Sequence, residues 1–260
     1  MTLLALASAK GSPGVTTAAL ALGVTWAAEA LPMVVECDPG GGDVGAWYDL
    51  PAEPGLASLA PAVRHAAVPR DPVDVLGAHR QTVPIGLDVL PAPAAAEAAG
   101  SAVALLPAGF WEGLDRHRGL VVLADCGRLG PASPVQAVVE RARLLVLLVR
   151  PFVADVSHLA GMLEGILASW VRDRRAGVVV VGPGPYPAAE VAASLGVELL
   201  GELPEDRAAA AALAGAADLP PLQHAPLLRA ARALGGVLAS RVAVPPAADP
   251  DPPGGARVPR

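Results

Sequence analysis

The chain has 260 residues, a formal net charge of −6 and a 53% hydrophobic content. That apolar share excludes a disordered polyampholyte, and the length suffices for one α/β domain or at most two small ones. The acidic balance argues against a protein that holds nucleic acid by bulk electrostatics.

The first strand is read at Thr2–Ala7, a turn at Gly11–Gly14 and an Ala/Leu-rich helix at Thr16–Ala30. A second strand at Pro32–Cys37 ends in the loop signal Asp38-Pro39-Gly40-Gly41-Gly42. Helices follow at Gly55–Ala66 and Asp71–His79, a strand at Ile85–Leu90 and a helix at Gly100–His117. Leu120–Ala124 and Leu144–Val149 are continuous apolar runs, the mark of strands buried on both faces, with a short helix at Ser133–Arg141 between them. A long helix is expected over Val153–Arg174, a strand at Val178–Val181, a helix at Ala188–Leu195 and a short strand at Glu198–Leu200. Glu205–Ala214 and Pro226–Val242 complete the helices. Strands alternating with helices predict a largely parallel sheet of seven or eight strands covered on both faces. One domain spans 1–244, and the Pro-rich segment 245–260 is expected to be a disordered tail.

Two cysteines, Cys37 and Cys126, give no disulfide framework and suit a reducing cytoplasm, as buried and inert thiols. The uncharged run Gly11–Ala28 contains Pro13 and two glycines near its start, so it is a poor membrane span. The apolar N-terminus lacks the basic region of a signal peptide.

Composition singles out one residue. Of the 19 basic residues, Lys10 is the only lysine, and Arg is the default elsewhere. Lys10 opens a loop, Lys10-Gly-Ser-Pro-Gly-Val-Thr-Thr17, between the first strand and the first helix. Such a turn aims backbone N–H groups and a helix dipole at one spot, which suits a phosphate. In the standard phosphate loop G-x-x-x-x-G-K-[ST], Gly14 and Thr16 fill the last Gly and the hydroxyl positions, while the lysine between them is Val15.

The loop resembles the deviant Walker A motif of the MinD/ParA family of P-loop ATPases, K-G-G-x-G-K-[ST]-[ST]. Lys10 matches the signature lysine, and Gly11, Gly14, Thr16 and Thr17 match in turn; Ser12 replaces a glycine and Val15 replaces the Walker lysine. Glu36-Cys37-Asp38-Pro39 resembles the family's acidic-x-acidic-Pro element, Leu120–Asp125 its Walker B strand, and Leu199–Asp206 the segment before its last helices. The segment Gly86–Pro93 is similar to a strand of the CpaE/TadZ branch, which helps to localise pilus machinery.

The resemblance implies a three-layer P-loop NTPase-like fold, with ATP and Mg²⁺ as cofactors and a homodimer as the working form. Gly11, Ser12, Gly14, Val15, Thr16 and Thr17 would surround the nucleotide. Thr16 would bind Mg²⁺ with Asp125 in its outer shell, Asp38 would orient the attacking water, and Lys10 would reach the partner's nucleotide. Phosphoryl transfer relies on positioning and charge neutralisation. Val15 cannot donate to phosphate, so ATP hydrolysis is expected to be degraded. Arg128 and Arg150 are the candidates for a replacement cation, and Gly182 stands where the family often places an Asn near the adenine.

The function expected is a nucleotide-responsive positioning protein, partnered with pilus, secretion or partitioning proteins. The rivals are an active ParA-type partitioning ATPase, a scaffold that binds no nucleotide, and a metabolic enzyme such as an amidotransferase-like synthetase. Arg172–Arg175 is read as a solvated helix end rather than a DNA contact, and the last helix as packed on the sheet rather than on membrane.

Overall fold

The computed structural model describes residues 2–10, 13–27, 29–64, 71–114, 119–173 and 175–243. Gly11, Ser12 and the expected tail lie outside them. In chain order the elements are β1 (Thr2–Ser8), α1 (Val15–Thr25), β2 (Leu31–Glu36), α2 (Val44–Trp47), α3 (Leu56–Arg64) and α4 (Pro72–His79). Next come β3 (Gln81–Val83), β4 (Leu87–Leu90), α5 (Ala96–Leu105), α6 (Ala108–Leu114), β5 (Leu120–Arg128), α7 (Gln136–Arg141) and β6 (Leu144–Val149). The chain continues through α8 (Val153–Glu164), α9 (Ala168–Arg172), β7 (Ala176–Val181), α10 (Ala188–Leu195), β8 (Glu198–Leu203), α11 (Arg207–Leu213) and α12 (Pro226–Val242).

The eight strands form one sheet in the order β3-β4-β2-β5-β1-β6-β7-β8. All neighbours are parallel except β3, which runs antiparallel to β4 at the edge. Side chains alternate across the sheet, as the pleat requires. Leu3, Ala5 and Ala7 of β1 join a core cluster with α3 to α10, whereas Leu4 and Leu6 join a second cluster with α1, α11 and α12. The result is the expected three-layer α/β fold.

Three departures from the sequence reading have local causes. The expected helix Gly100–His117 begins earlier, at Ala96, and is interrupted between α5 and α6. Pro107 lacks an N–H and pushes Leu106 out of the helical region, to φ −78° and ψ 115°. The expected helix Val153–Arg174 splits into α8 and α9, because Gly165 leaves the helical region at φ −95° and ψ −106°. The first helix stops at Thr25 rather than Ala30, and the short elements β3 and α2 carry no periodic signal.

The adjacent glycines of α12 have different surroundings. A Cβ at Gly235 would lie 3.5 Å from the Trp26 ring, at the contact between α1 and α12, while one at Gly236 would meet nothing within 4 Å. The apolar stripe Leu227, Leu228, Ala231, Leu234 and Leu238 is buried, so the face that a membrane would need is occupied by the core. Among the described residues no helix is long and apolar enough to cross a membrane. Urea unfolding should therefore show Gly236→Ala stabilising the chain by about 0.5–1 kcal/mol and Leu234→Ala destabilising it by about 2–5 kcal/mol. A Leu234→Ala protein as stable as the parent would mean that α12 is not part of the folded core.

Candidate functional site

The carboxyl ends of β1, β2 and β5 lie side by side; Asp125 stands within β5 and Glu36 within β2, and the other motif residues are on the segments that leave β1 and β2. Gly14 caps α1 in the left-handed region, at φ +87° and ψ 48°, a conformation that glycine adopts without a Cβ penalty. This turn starts the helix directly beyond the loop. Lys10, half-buried, is two residues past β1. Thr16 is in the first turn of α1, and its hydroxyl lies beside the Asp125 carboxylate, where it favours the charged form. Two motifs more than a hundred residues apart in sequence thus meet through these side chains.

Asp125 is only 1% exposed. Its carboxylate accepts a hydrogen bond from Gly127 N–H at 3.0 Å. Burial pushes its pKa up to about 7, the Thr16 hydroxyl and the Gly127 N–H oppose that shift, and the charges of Glu36 and Asp38 add to it. Asp38 is held by Gly40 N–H at 2.7 Å, and burial also raises its pKa. Its carboxyl lies directly over Gly127, where a Cβ would come within 2.0 Å of the Asp38 carboxyl carbon. Gly127 also has φ +55°, so no other residue fits there without moving Asp38.

Glu36 has a role that the sequence reading missed. Its Oε1 accepts from Asp43 N–H at 2.7 Å and Val44 N–H at 3.0 Å, and its Oε2 from Ala92 N–H at 2.9 Å. Gly42 N–H adds a bond to Pro93 O at 2.9 Å. A Cβ at Gly41 would lie 2.2 Å from Ala94 O, and one at Gly42 would lie 2.6 Å from Ala92 O. The loop bearing Asp38 is therefore fastened against the segment after β4. A strand-end acid followed by three glycines was the available signal. Cys37 and Cys126 are fully buried, and burial raises both thiols well above the usual range, so both stay neutral.

A cleft of about 550 Å³ opens beside this centre. Gly14 and Thr17 form one wall, and Arg150, Phe152, Gly182 and the segment Leu203–Arg207 form the others. Val15 is not among the described residues that line it; its side chain is 7% exposed and packs into the cluster beneath α1. Of the two candidate replacement cations, Arg150 lines this cleft. Arg128 lines a different one, with Ala9, Pro39 and His158. Phe152, one of two phenylalanines in the chain, was not foreseen as a cleft residue. In the basic run, Arg175 stacks on Trp170 at 4.2 Å and donates to Ala142 O, so it braces the fold.

The residues present suit a small hard cation. A hydroxyl and a buried carboxylate offer oxygen donors only, and Mg²⁺ takes one or two such groups together with phosphate oxygens and water.

No protein-family model and no curated protein matches the chain. Solved structures do. The cell division ATPase MinD of Pyrococcus furiosus aligns with a TM-score of 0.67 at 16% identity, covering 92% of this chain and 98% of that one. A ParA family ATPase from Chlorobium tepidum TLS aligns at 0.65 and 15%, covering 91% and 97%. The septum site-determining protein MinD of Pyrococcus horikoshii OT3, complexed with Mg-ADP, aligns at 0.61 and 14%, covering 94% and 99%.

The buried acid makes stability depend on pH. The folded state holds the Asp125 proton more tightly than the unfolded chain, so ionisation opposes folding. The penalty is absent below about pH 4, grows towards pH 7 and levels off above it. Asp125→Asn keeps an acceptor for Gly127 N–H and removes the charge. Its stability advantage over the parent should grow by about 2–3 kcal/mol between pH 5 and pH 8, measured by denaturant unfolding. An advantage that does not change with pH would contradict the burial of an ionisable Asp125. With the sheet order, the layers and the loop-to-helix turn all in place, the chain has the α/β P-loop NTPase-like fold of the MinD and ParA structures.

Proposed function

We propose that the chain is a nucleotide-binding switch of the MinD/ParA type that holds ATP or ADP with Mg²⁺ and hydrolyses ATP poorly. The observation that carries this reading is the contact of Thr16 with Asp125 beside a glycine-capped helix start and a cleft of about 550 Å³. The cleft falls in the range of small-molecule sites. The MinD structure complexed with Mg-ADP supports the same ligand class.

Each residue has a defined task in this reading. Gly14 and Thr17, with Gly11, Ser12 and Val15 of the same loop, surround the phosphates through the start of α1. Thr16 would supply a hydroxyl ligand to Mg²⁺, with Asp125 in its outer shell. The metal offsets phosphate charge when bound. Asp38, fixed over Gly127, orients a water towards the terminal phosphate. Lys10 reaches a second subunit's nucleotide in a homodimer. Val15 leaves the terminal phosphate without the lysine that would stabilise its developing charge, and removal of one such donor costs roughly 10²–10³ in rate. The chain therefore works as a dimerising switch more than as a turnover enzyme. The likeness of Gly86–Pro93 to the CpaE/TadZ branch supports a role in localising a pilus or secretion assembly, in the cytoplasm.

Calorimetry of the full chain with Mg·ADP and Mg·ATP tests the reading, alongside phosphate release. Binding is expected with negligible turnover, Thr16→Ala should weaken the Mg²⁺ dependence, and Val15→Lys should raise turnover. Absence of binding would leave a scaffold; steady turnover by the natural chain would contradict the role given to Val15.

A further inference from the structure

Val15 leaves a charge problem that the cleft itself addresses. A bound nucleoside diphosphate is polyanionic, and the described lining of the cleft includes two carboxylates, Glu205 and Asp206. Asp206 is occupied as the cap of α11, accepting from Ala209 N–H at 3.0 Å and from Leu227 N–H at 3.3 Å. Two arginines also line the cleft, Arg150 and Arg207. Arg207 pairs with Glu205 at 3.0 Å, and its side chain is 92% exposed, so it belongs to the solvated rim, where such pairs contribute little.

Arg150 is placed differently. β6 runs beside β1 in parallel register, with Ser8 level with Leu148. The residue two past Leu148 therefore stands beside the start of the phosphate loop. A tight turn, in which Phe152 N–H donates to Arg150 O at 2.8 Å, follows at once and brings Phe152 into the same wall. Gly14 and Thr17 line the same cleft as Arg150.

We propose that Arg150 takes over the phosphate-neutralising task that Val15 abandons, reaching the nucleotide from the end of β6 instead of from the loop–helix junction. The inference rests on the nucleotide reading above. A planar guanidinium holds two phosphate oxygens through a fixed bidentate fork, whereas a lysine ammonium acts as a point charge. From the end of β6 it approaches the phosphates from a different direction than a side chain at position 15 would. The nucleotide is thus retained without a cation at position 15, so Arg150 supports affinity and leaves turnover low. In a chain whose default basic residue is arginine, the cation is an arginine at a strand end in place of a lysine at a helix start.

Calorimetric titration of the full chain with Mg·ADP decides it, using the parent, Arg150→Ala, and Arg150→Ala combined with Val15→Lys. Melting curves check that each is folded. The expected result is a loss of affinity of about 10- to 100-fold in Arg150→Ala, equal for Mg·ATP, and recovery of at least a large part of it in the double variant. Arg150→Ala binding as tightly as the parent would overturn the proposal and leave the nucleotide reading standing. Weak binding in both variants would also overturn it, since a lysine at position 15 would then not replace what was lost. No binding by the parent would instead bring down the nucleotide reading itself.

Discussion

The contact between Thr16 and Asp125 is the interaction on which the rest of the site depends. It joins the first turn of α1 to the central strand β5, and it is made at a carboxylate that has almost no water access. Burying an acid there costs folding free energy, and the neighbouring charges of Glu36 and Asp38 add to that cost. Such an arrangement is destabilising in the isolated chain and becomes favourable beside a cation. That is the usual signature of a place kept for binding rather than for stability.

Around this contact the backbone is built for close approach. Gly127 leaves room for the Asp38 carboxyl, and Gly41 and Gly42 let the Asp38 loop touch the segment after β4. Glu36 then fixes that loop with three backbone bonds. The apolar-proline segment after β4 has a structural task. It is the wall against which Asp38 is set. The lone lysine, Lys10, stands past the end of β1, Val15 belongs to the core, and the cleft draws its positive charge from Arg150 and its rim.

Much of this was legible in the residues. Leu144–Val149 is apolar throughout because both faces of the strand are covered, and its bounds in the sequence and the structure coincide. Asp38, Asp125, Gly14 and Thr16 follow a motif whose spacing encodes a turn and two strand ends. The failures have physical reasons. Gln81–Val83 pairs along one edge for three residues, too short for a periodic signal. The break at Gly165 depends on one residue that helices sometimes tolerate. The part played by Glu36 was hidden because one of its partners is a backbone amide 56 residues away, and backbone amides carry no residue identity. The sequence offered Arg150 and Arg128 alike as candidate cations; which of them faces the cleft was hidden, since a wall assembled from β1, β6, β7 and β8 is a product of the sheet order.

The central claim is that this cleft holds a nucleotide although the Walker lysine is missing. The most direct measurement is the melting temperature of the full chain against Mg·ADP concentration. A ligand that binds only the folded state stabilises it by about 2.7 kcal/mol at a hundredfold excess over its dissociation constant. The account predicts a melting temperature that climbs steadily with Mg·ADP and does not climb with Mg²⁺ alone. A melting temperature that stays flat into the millimolar range would contradict it.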